Sequence, residues 1–290
     1  RIDKNNEPDT AYIRENLNAL LDKNKGYDIY VTQGYICRNA FGEVDNLQRG
    51  GSDYTASLIG AAILADEIQI WTDIDGMHNN DPRFVEGTKP IHDLSFDEAA
   101  ELAYFGAKIL HPTCVLPAKV NNIPVRLLNT MEPTAYGTLI SGKQCENRVA
   151  AIAAKDNITA IKIKSSRMLL AYGFLRKVFE IFESYKTSID MITTSEVGVS
   201  VTIDNNRHLD DIVEDLKKYA TVEVDKDQVI ICVVGDFVAS SKGYASQIFD
   251  ALKETPIRMI SYGGSSHNVS ILINAEDKIN ALRALSAKLF

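Results

Sequence analysis

The latter half of the chain repeats itself, and a repeat restricts the available folds more than any single motif does. Gly173-Phe174-Leu175 and Gly243-Tyr244-Ala245 each open a helix-like stretch, with Phe179 and Phe249 six residues further on, an offset of seventy residues in both cases. Ile189-Asp190-Met191-Ile192 matches Ile257-Arg258-Met259-Ile260, and Val199 to Asp204 matches Val269 to Asn274. The β-branched runs read as strands, while Leu209, Ile212, Val213 and Leu216 share one face of a closing helix over 209–219. The second unit closes with a helix over 277–290. Each unit reads strand, helix, strand, strand, helix, and two in tandem are a duplicated small α+β domain. Such a repeat implies structure or ligand sensing, not a reaction. Residues 147–156 read as a hinge before it.

Up to about Gly142 strands and helices alternate in another way. Asp28 to Ile36 is β-branched and aromatic and reads as a buried strand; Tyr54 to Ala65 reads as a packed helix. Glu67 to Thr72 is a strand that ends in the acidic loop Asp73-Ile74-Asp75-Gly76. Ser95 and Glu98 form a capping box that opens a helix to about Tyr104. Ile123 to Leu128 is a further strand, and Pro124 puts it near an edge or a strand start. Alternation of this kind predicts a largely parallel sheet flanked by helices, with ligands at the carboxyl ends of the strands. Polar clusters follow Tyr35 and Trp71 and surround Lys108 at such places.

Gln48-Arg49-Gly50-Gly51-Ser52-Asp53 joins a strand-like run to a helix-like run. Two glycines let the backbone approach a ligand, and the first N–H groups of a helix favour an anion. Arg49 adds a fork suited to a carboxylate or phosphate. Alone, the segment reads equally as a tight turn with Ser52 or Asp53 capping the helix.

Composition narrows the partners. A net charge of −8 argues against nucleic acid or an anionic membrane surface, and no apolar run approaches a bilayer span. Cys37, Cys114, Cys145 and Cys232 are scattered and read as reduced thiols of a cytoplasmic protein. His92, His111, His208 and His267 are too separated for a metal site, and His111-Pro112 reads as shaping a loop. Phe174, Phe179 and Phe182 read as helix core.

Arg49 to Ala56, Trp71 to Gly76, Asp81-Pro82-Arg83, Phe105 to Pro112 and Ile192 to Val197 stand in the order found in aspartokinases, and the chain resembles that family over nearly its whole length. The resemblance implies an α/β fold: part of an amino-acid-kinase α/β/α sandwich over 1–146, a first ACT domain over 147–227 and a second over 228–290. Spacing leaves open whether part of the last unit completes the first. Implied too is ATP-dependent phosphorylation of the β-carboxylate of L-aspartate to 4-phospho-L-aspartate, with Mg2+, at the start of lysine, threonine and methionine biosynthesis. A carboxylate of pKa about 4 needs no general base, so positive charge and positioning are what the reaction demands. By resemblance Arg49, Gly50, Gly51 and Ser52 hold aspartate, with Asp53 on its ammonium or on nearby cations and Tyr35 alongside. Thr72, Asp73, His78, Arg83, Lys108 and Ile109 surround ATP, and Lys108, Asp53 and Arg49 are the catalytic candidates. Outside this motif set Asp73 and Asp75 would read as a turn, and Arg83 and Lys108 as surface cations.

The effector set implied for a lysine-sensitive member is Met168, Gly173, Phe174, Leu175, Ser188, Ile189, Asp190, Thr194, Ser195 and Glu196, with a homodimer formed through the ACT units. Asp190 and Glu196 would meet the ammonium groups of L-lysine, and the helix start at Gly173 its carboxylate. Two positions depart from the family, Gln48 for glycine and His78 for tyrosine, and Ala171 stands where one branch of it has serine. The chain begins at Arg1 without the family's Lys-Phe-Gly-Gly strand, so the expectation is an aspartokinase short of its N-terminal portion and of one phosphate-neutralising charge. The rival reading is a non-catalytic amino-acid-sensing subunit.

Overall fold

In a computed structural model, residues 1–47, 50–105, 111–143, 148–165, 172–236 and 242–290 are described, and the chain divides into two compact units. The first holds Arg1–Pro82, Glu86–Ala151 and Val234–Asp236; the second holds Arg83–Val85, Ile152–Val233 and Phe237–Phe290.

The first unit runs α1 (Thr10–Lys23), β1 (Ile36–Arg38), β2 (Val44–Asn46), α2 (Gly51–Ile63), β3 (Ile68–Thr72), β4 (Asp93–Ser95), α3 (Phe96–Tyr104), α4 (Pro112–Val120), β5 (Val125–Asn129) and β6 (Thr138–Ser141). Its main sheet has the order β3-β5-β6-β4. β3 pairs parallel with β5 and β4 parallel with β6, but β5 and β6 are antiparallel, so the sheet is mixed where a largely parallel one was expected. Ile68, Ile70, Val125, Leu127 and Ile140 alternate into the core. The capping box at Ser95 and Glu98 forms as its spacing predicts.

One strand expectation fails. Residues 28–35 form no strand, and Ile29 and Val31 are 81% and 94% exposed. Strand residues need a neighbour to take their N–H and C=O groups, and among the described residues only the β1–β2 hairpin forms beside this run.

The second unit contains all of the repeat but the first three residues of β7 and the last two of β10: β7 (Val149–Lys164), α5 (Phe174–Ser184), β8 (Ile192–Thr194), β9 (Gly198–Ile203) and α6 (Leu209–Lys217), then β10 (Thr221–Gly235), α7 (Tyr244–Ala251), β11 (Ile257–Tyr262), β12 (Asn268–Asn274) and α8 (Lys278–Leu289). The order of elements is the one the repeat predicts. The stretch read as a hinge is strand from Val149 onward, because Val149 to Ala153 is an apolar run that buries itself in the sheet.

Strand order is β11-β12-β10-β7-β9-β8, so the two repeats meet inside one chain at β10 and β7. Both central strands bend at a residue of positive φ, Asn157 at 61° and Asp227 at 55°. Asn and Asp tolerate that region better than other side chains. Beyond its bend β7 pairs antiparallel with β9, Thr159 facing Ile203 and Lys164 facing Gly198. On the other side Lys162 and Lys164 reach Asp225 and Glu223 of β10 at 2.7 and 2.9 Å. α5 places Val178, Ile181 and Phe182 on one face, against Ile161, Ile163, Val199, Val201 and Ile203. β8 and β11 are the sheet edges, and every residue of β8 is exposed.

Candidate active site

The Gly-Gly junction folds as an open helix start. Gly50, at φ 71°, is the N-cap of α2, and no side chain caps the helix. Ser52 and Asp53 therefore lie in the first turn rather than before it, and the capping alternative does not hold. Both glycines are sterically required. A Cβ on Gly50 would come 2.4 Å from His111 Cβ, and one on Gly51 would come 2.8 Å from the Tyr35 ring. Tyr35 is thus brought to the junction as expected, its own φ at 71° and its N–H bonded to Thr55 Oγ1 at 3.1 Å. Ser52 is exposed, its side chain open to a ligand.

The opposite wall is the start of α4, which the sequence reading missed. His111 is its N-cap, so two helix N-termini converge beside Gly50 and present their positive ends to the same place. His111 Nδ1 lies 2.8 Å from Thr113 Oγ1. Cys114 Sγ donates to Gly50 O at 3.5 Å, and Ser57 Oγ donates to Cys114 O at 2.5 Å, which fixes α4 on α2. Burial, then the Asp53 charge, push the Cys114 thiol up to about 12, so it is no nucleophile at neutral pH. Burial also raises the Asp53 carboxyl, with His111 opposing. The Gly-rich segment was the signal for this site; His111 offered only a His-Pro pair that any loop could carry.

The second cluster lies at the carboxyl end of β3. Thr72 Oγ1 donates to Asp73 Oδ1 at 3.0 Å and accepts from the Asp73 N–H at 2.6 Å. Gly76, at φ 121°, lies so near Thr138 Oγ1 that a Cβ would stand 2.5 Å away. His78 is held at both ring nitrogens, by Asp75 Oδ1 at 2.8 Å and Thr88 Oγ1 at 3.0 Å. Only its ring face remains to meet a nucleotide. Arg83 belongs to the second unit. Arg49, Lys108, Ile109 and Met168 lie outside the described residues.

The effector set falls into two groups. Gly173 is the αL N-cap of α5, again without a side-chain cap, and Phe174 packs on the core while Leu175 stays partly exposed. Ser195 N–H closes the β8–β9 turn on Gly198 O at 2.8 Å, with Thr194 and Glu196 exposed beside it. Both features sit at the Lys164 end of β7. Ser188 is exposed, Ile189 packs on the core, and Asp190 N–H donates to Thr202 O at 2.9 Å at the other end of β8. Asp190 is not an open charge: Lys155 Nζ holds it at 2.6 Å.

Comparison with known proteins agrees with this layout. The Amino acid kinase family matches residues 1–129 and the ACT domain family residues 231–289. Lysine-sensitive aspartokinase 3 of Escherichia coli (strain K12) is 38% identical over 296 residues, covering 98% of this chain and 65% of its own length. The structure of E. coli aspartokinase III with aspartate and ADP has a TM-score of 0.88 at 37% identity, covering 98% of this chain and 66% of that one. Its complex with lysine and aspartate has a TM-score of 0.83 at 37% identity, covering 98% of this chain and 65% of that one. Clostridium acetobutylicum aspartate kinase has a TM-score of 0.88 at 32% identity, covering all of this chain and 68% of that one. The chain spans about two thirds of the length of these relatives.

Proposed function

The chain belongs to the aspartokinase family, and from that premise we propose that it transfers the γ-phosphoryl group of ATP to the β-carboxylate of L-aspartate under feedback by L-lysine. The observation that carries this reading is the uncapped start of α2, walled by Tyr35 and His111 and joined there by the start of α4. Two positive helix ends suit a substrate with two carboxylates, and Arg49 supplies a fork for its α-carboxylate. The E. coli relative solved with aspartate and ADP supports the same substrates. Thr72 and Asp73 offer a hydroxyl and a carboxylate at a strand end, a fit for a nucleotide and a hard cation. Mg2+ accompanying ATP would neutralise the phosphates. The chain's own residues do the rest: Gly50 to Ser52 orient the acceptor carboxylate, and Lys108 and Arg49 stabilise charge as the two anions meet. Aspartate needs no deprotonation, so Asp53 acts by position.

Lysine feedback is supported by the relative solved with lysine and aspartate. A homodimer fits the same picture. β8 is an exposed edge, and Asp190 and Glu196 stand at its opposite ends, roughly 15–20 Å apart along an extended strand. Pairing two β8 edges about a twofold would bring one copy's Asp190 toward the other's Glu196, a span one lysine can bridge. A cytoplasmic setting belongs to the same reading.

Coupled ADP release with aspartate, glutamate and UMP as acceptors is the test, run on the intact protein. Aspartate is expected to be the acceptor, with Arg49→Ala and Lys108→Ala each lowering the rate by about 10²–10³-fold. Lysine binding without any aspartate-dependent ADP release would replace this reading with that of a sensing subunit.

A further inference from the structure

The expected effector carboxylate already holds an ammonium, and it is the chain's own. Lys155 Nζ lies 2.6 Å from Asp190 Oδ1 and 2.9 Å from Asp204 Oδ2. The two acids differ in access, Asp190's side chain being 1% exposed and Asp204's 41%. Lys155 thus bridges an inner and an outer carboxylate from the strand just before the Asn157 bend. Its flexible four-carbon stem can leave the inner acid and keep the outer one. A ligand amine that takes the Oδ1 of Asp190 must first take Lys155's place, because Lys155 Nζ already sits on that oxygen inside a carboxylate closed to solvent.

We propose that Lys155 is a built-in competitor for the effector: the ligand's ammonium takes Asp190, and Lys155 is handed over to Asp204. This rests on the reading of Asp190 as an effector contact. The second repeat carries the opposite polarity at the same places. Asp225 stands seventy residues after Lys155, and Arg258 matches Asp190, the two joined at 2.7 Å. A ligand ammonium would meet an arginine there, so the hand-over belongs to the first repeat.

The signs of three substitutions follow. In Lys155→Met no internal ammonium has to be displaced, and L-lysine should bind about tenfold tighter, the worth of one charge-assisted hydrogen bond. Lys155→Arg should bind it more weakly, since a guanidinium fork grips both acids at once. Asp204→Asn should also weaken binding, because the displaced ammonium loses its second partner. Isothermal titration of L-lysine into the protein and each variant reads all three. A purely supporting role for Lys155 would loosen binding in Lys155→Met, and equal or weaker binding there overturns the hand-over. Should Lys155→Met fail to fold, Lys155→Arg and Asp204→Asn keep the Asp190 pair and decide; unchanged or tighter binding in both overturns it. A wild-type protein that gives no heat with lysine overturns the effector reading and the hand-over together, whereas binding that no variant alters overturns the hand-over alone.

Discussion

In the first repeat the residue two places before the strand bend is Lys155, paired with Asp190; in the second it is Asp225, paired with Arg258. The backbone repeats at the bends and the helix starts, although Asp190 lies in the loop before β8 and Arg258 within β11. Asn157 and Asp227 bend their strands at φ 61° and 55°, and Gly173 and Gly243 open their helices at φ 88° and 99°. Steric demands of positive φ thus recur at a fixed offset, whereas charge sign does not. An ion pair recurs at that corner with its sign reversed. The pairs also differ in depth, since Asp190 is 1% exposed and Asp225 28%. Each repeat ties the strand before its bend to the start of its β-hairpin, and the polarity of the tie differs between the two.

The largest effect that probes this comparison lies in the cores. Phe182 on α5 and Leu252 after α7 are seventy residues apart and both fully buried. Phe182→Ala should cost about 3–5 kcal/mol and Leu252→Ala about 2–4 kcal/mol, because the ring leaves the larger hole. Urea unfolding of each variant checks the order, and a larger loss in Leu252→Ala would mean the repeats are not equivalent in packing.

A smaller contrast separates the tethers. Asp190→Ala removes a buried partner of Lys155, itself 17% exposed, and leaves its pair with Asp204. A loss of about 1–3 kcal/mol is expected. Asp225→Ala frees Lys162 and Arg258, 26% and 37% exposed, to meet water, and should cost under about 1 kcal/mol. Equal losses in denaturant titrations would show that depth does not matter here.

Much of this was legible in the sequence, for identifiable reasons. The repeat could be read because αL helix starts need glycine, so Gly173 and Gly243 mark the same event twice. Ser95 and Glu98 announced their own box, since both partners lie within one turn. The run 28–36 misled because β-branched residues state a preference, while a strand also needs an edge to join. Asn157 and Asp227 bend strands, yet in a sequence they resemble loop residues. Lys155 and Asp190 are thirty-five residues apart, and nothing in either neighbourhood signals the other. At the candidate site the glycines were visible and the wall was not. His111 closes on Gly50 only through the packing of α4 against α2. His78 showed the same limit, since its two anchors depend on how the loop to Thr88 returns.

The smallest predicted effect is the pH response of the two tethers, which should fail at opposite ends of the scale. Burial pulls the Lys155 ammonium down, but bonds to Asp190 and Asp204 outweigh it and leave its pKa above the ordinary 10.5. A raised pKa in the folded state means its contribution is whole below the unfolded lysine range and is lost as pH climbs through the folded value. At Asp225 the bonds from Lys162 and Arg258 outweigh burial and hold the carboxyl below its ordinary 3.8. Its contribution is whole above the unfolded aspartate range and is lost as pH drops through the folded value. Unfolding free energy measured across pH should therefore lose part of its alkaline fall in Lys155→Met and part of its acid fall in Asp225→Asn. Each variant serves as the other's control, because a general loss of stability would shift both limbs. Variants that changed the same limb would break the claim that the repeats use one corner with opposite signs.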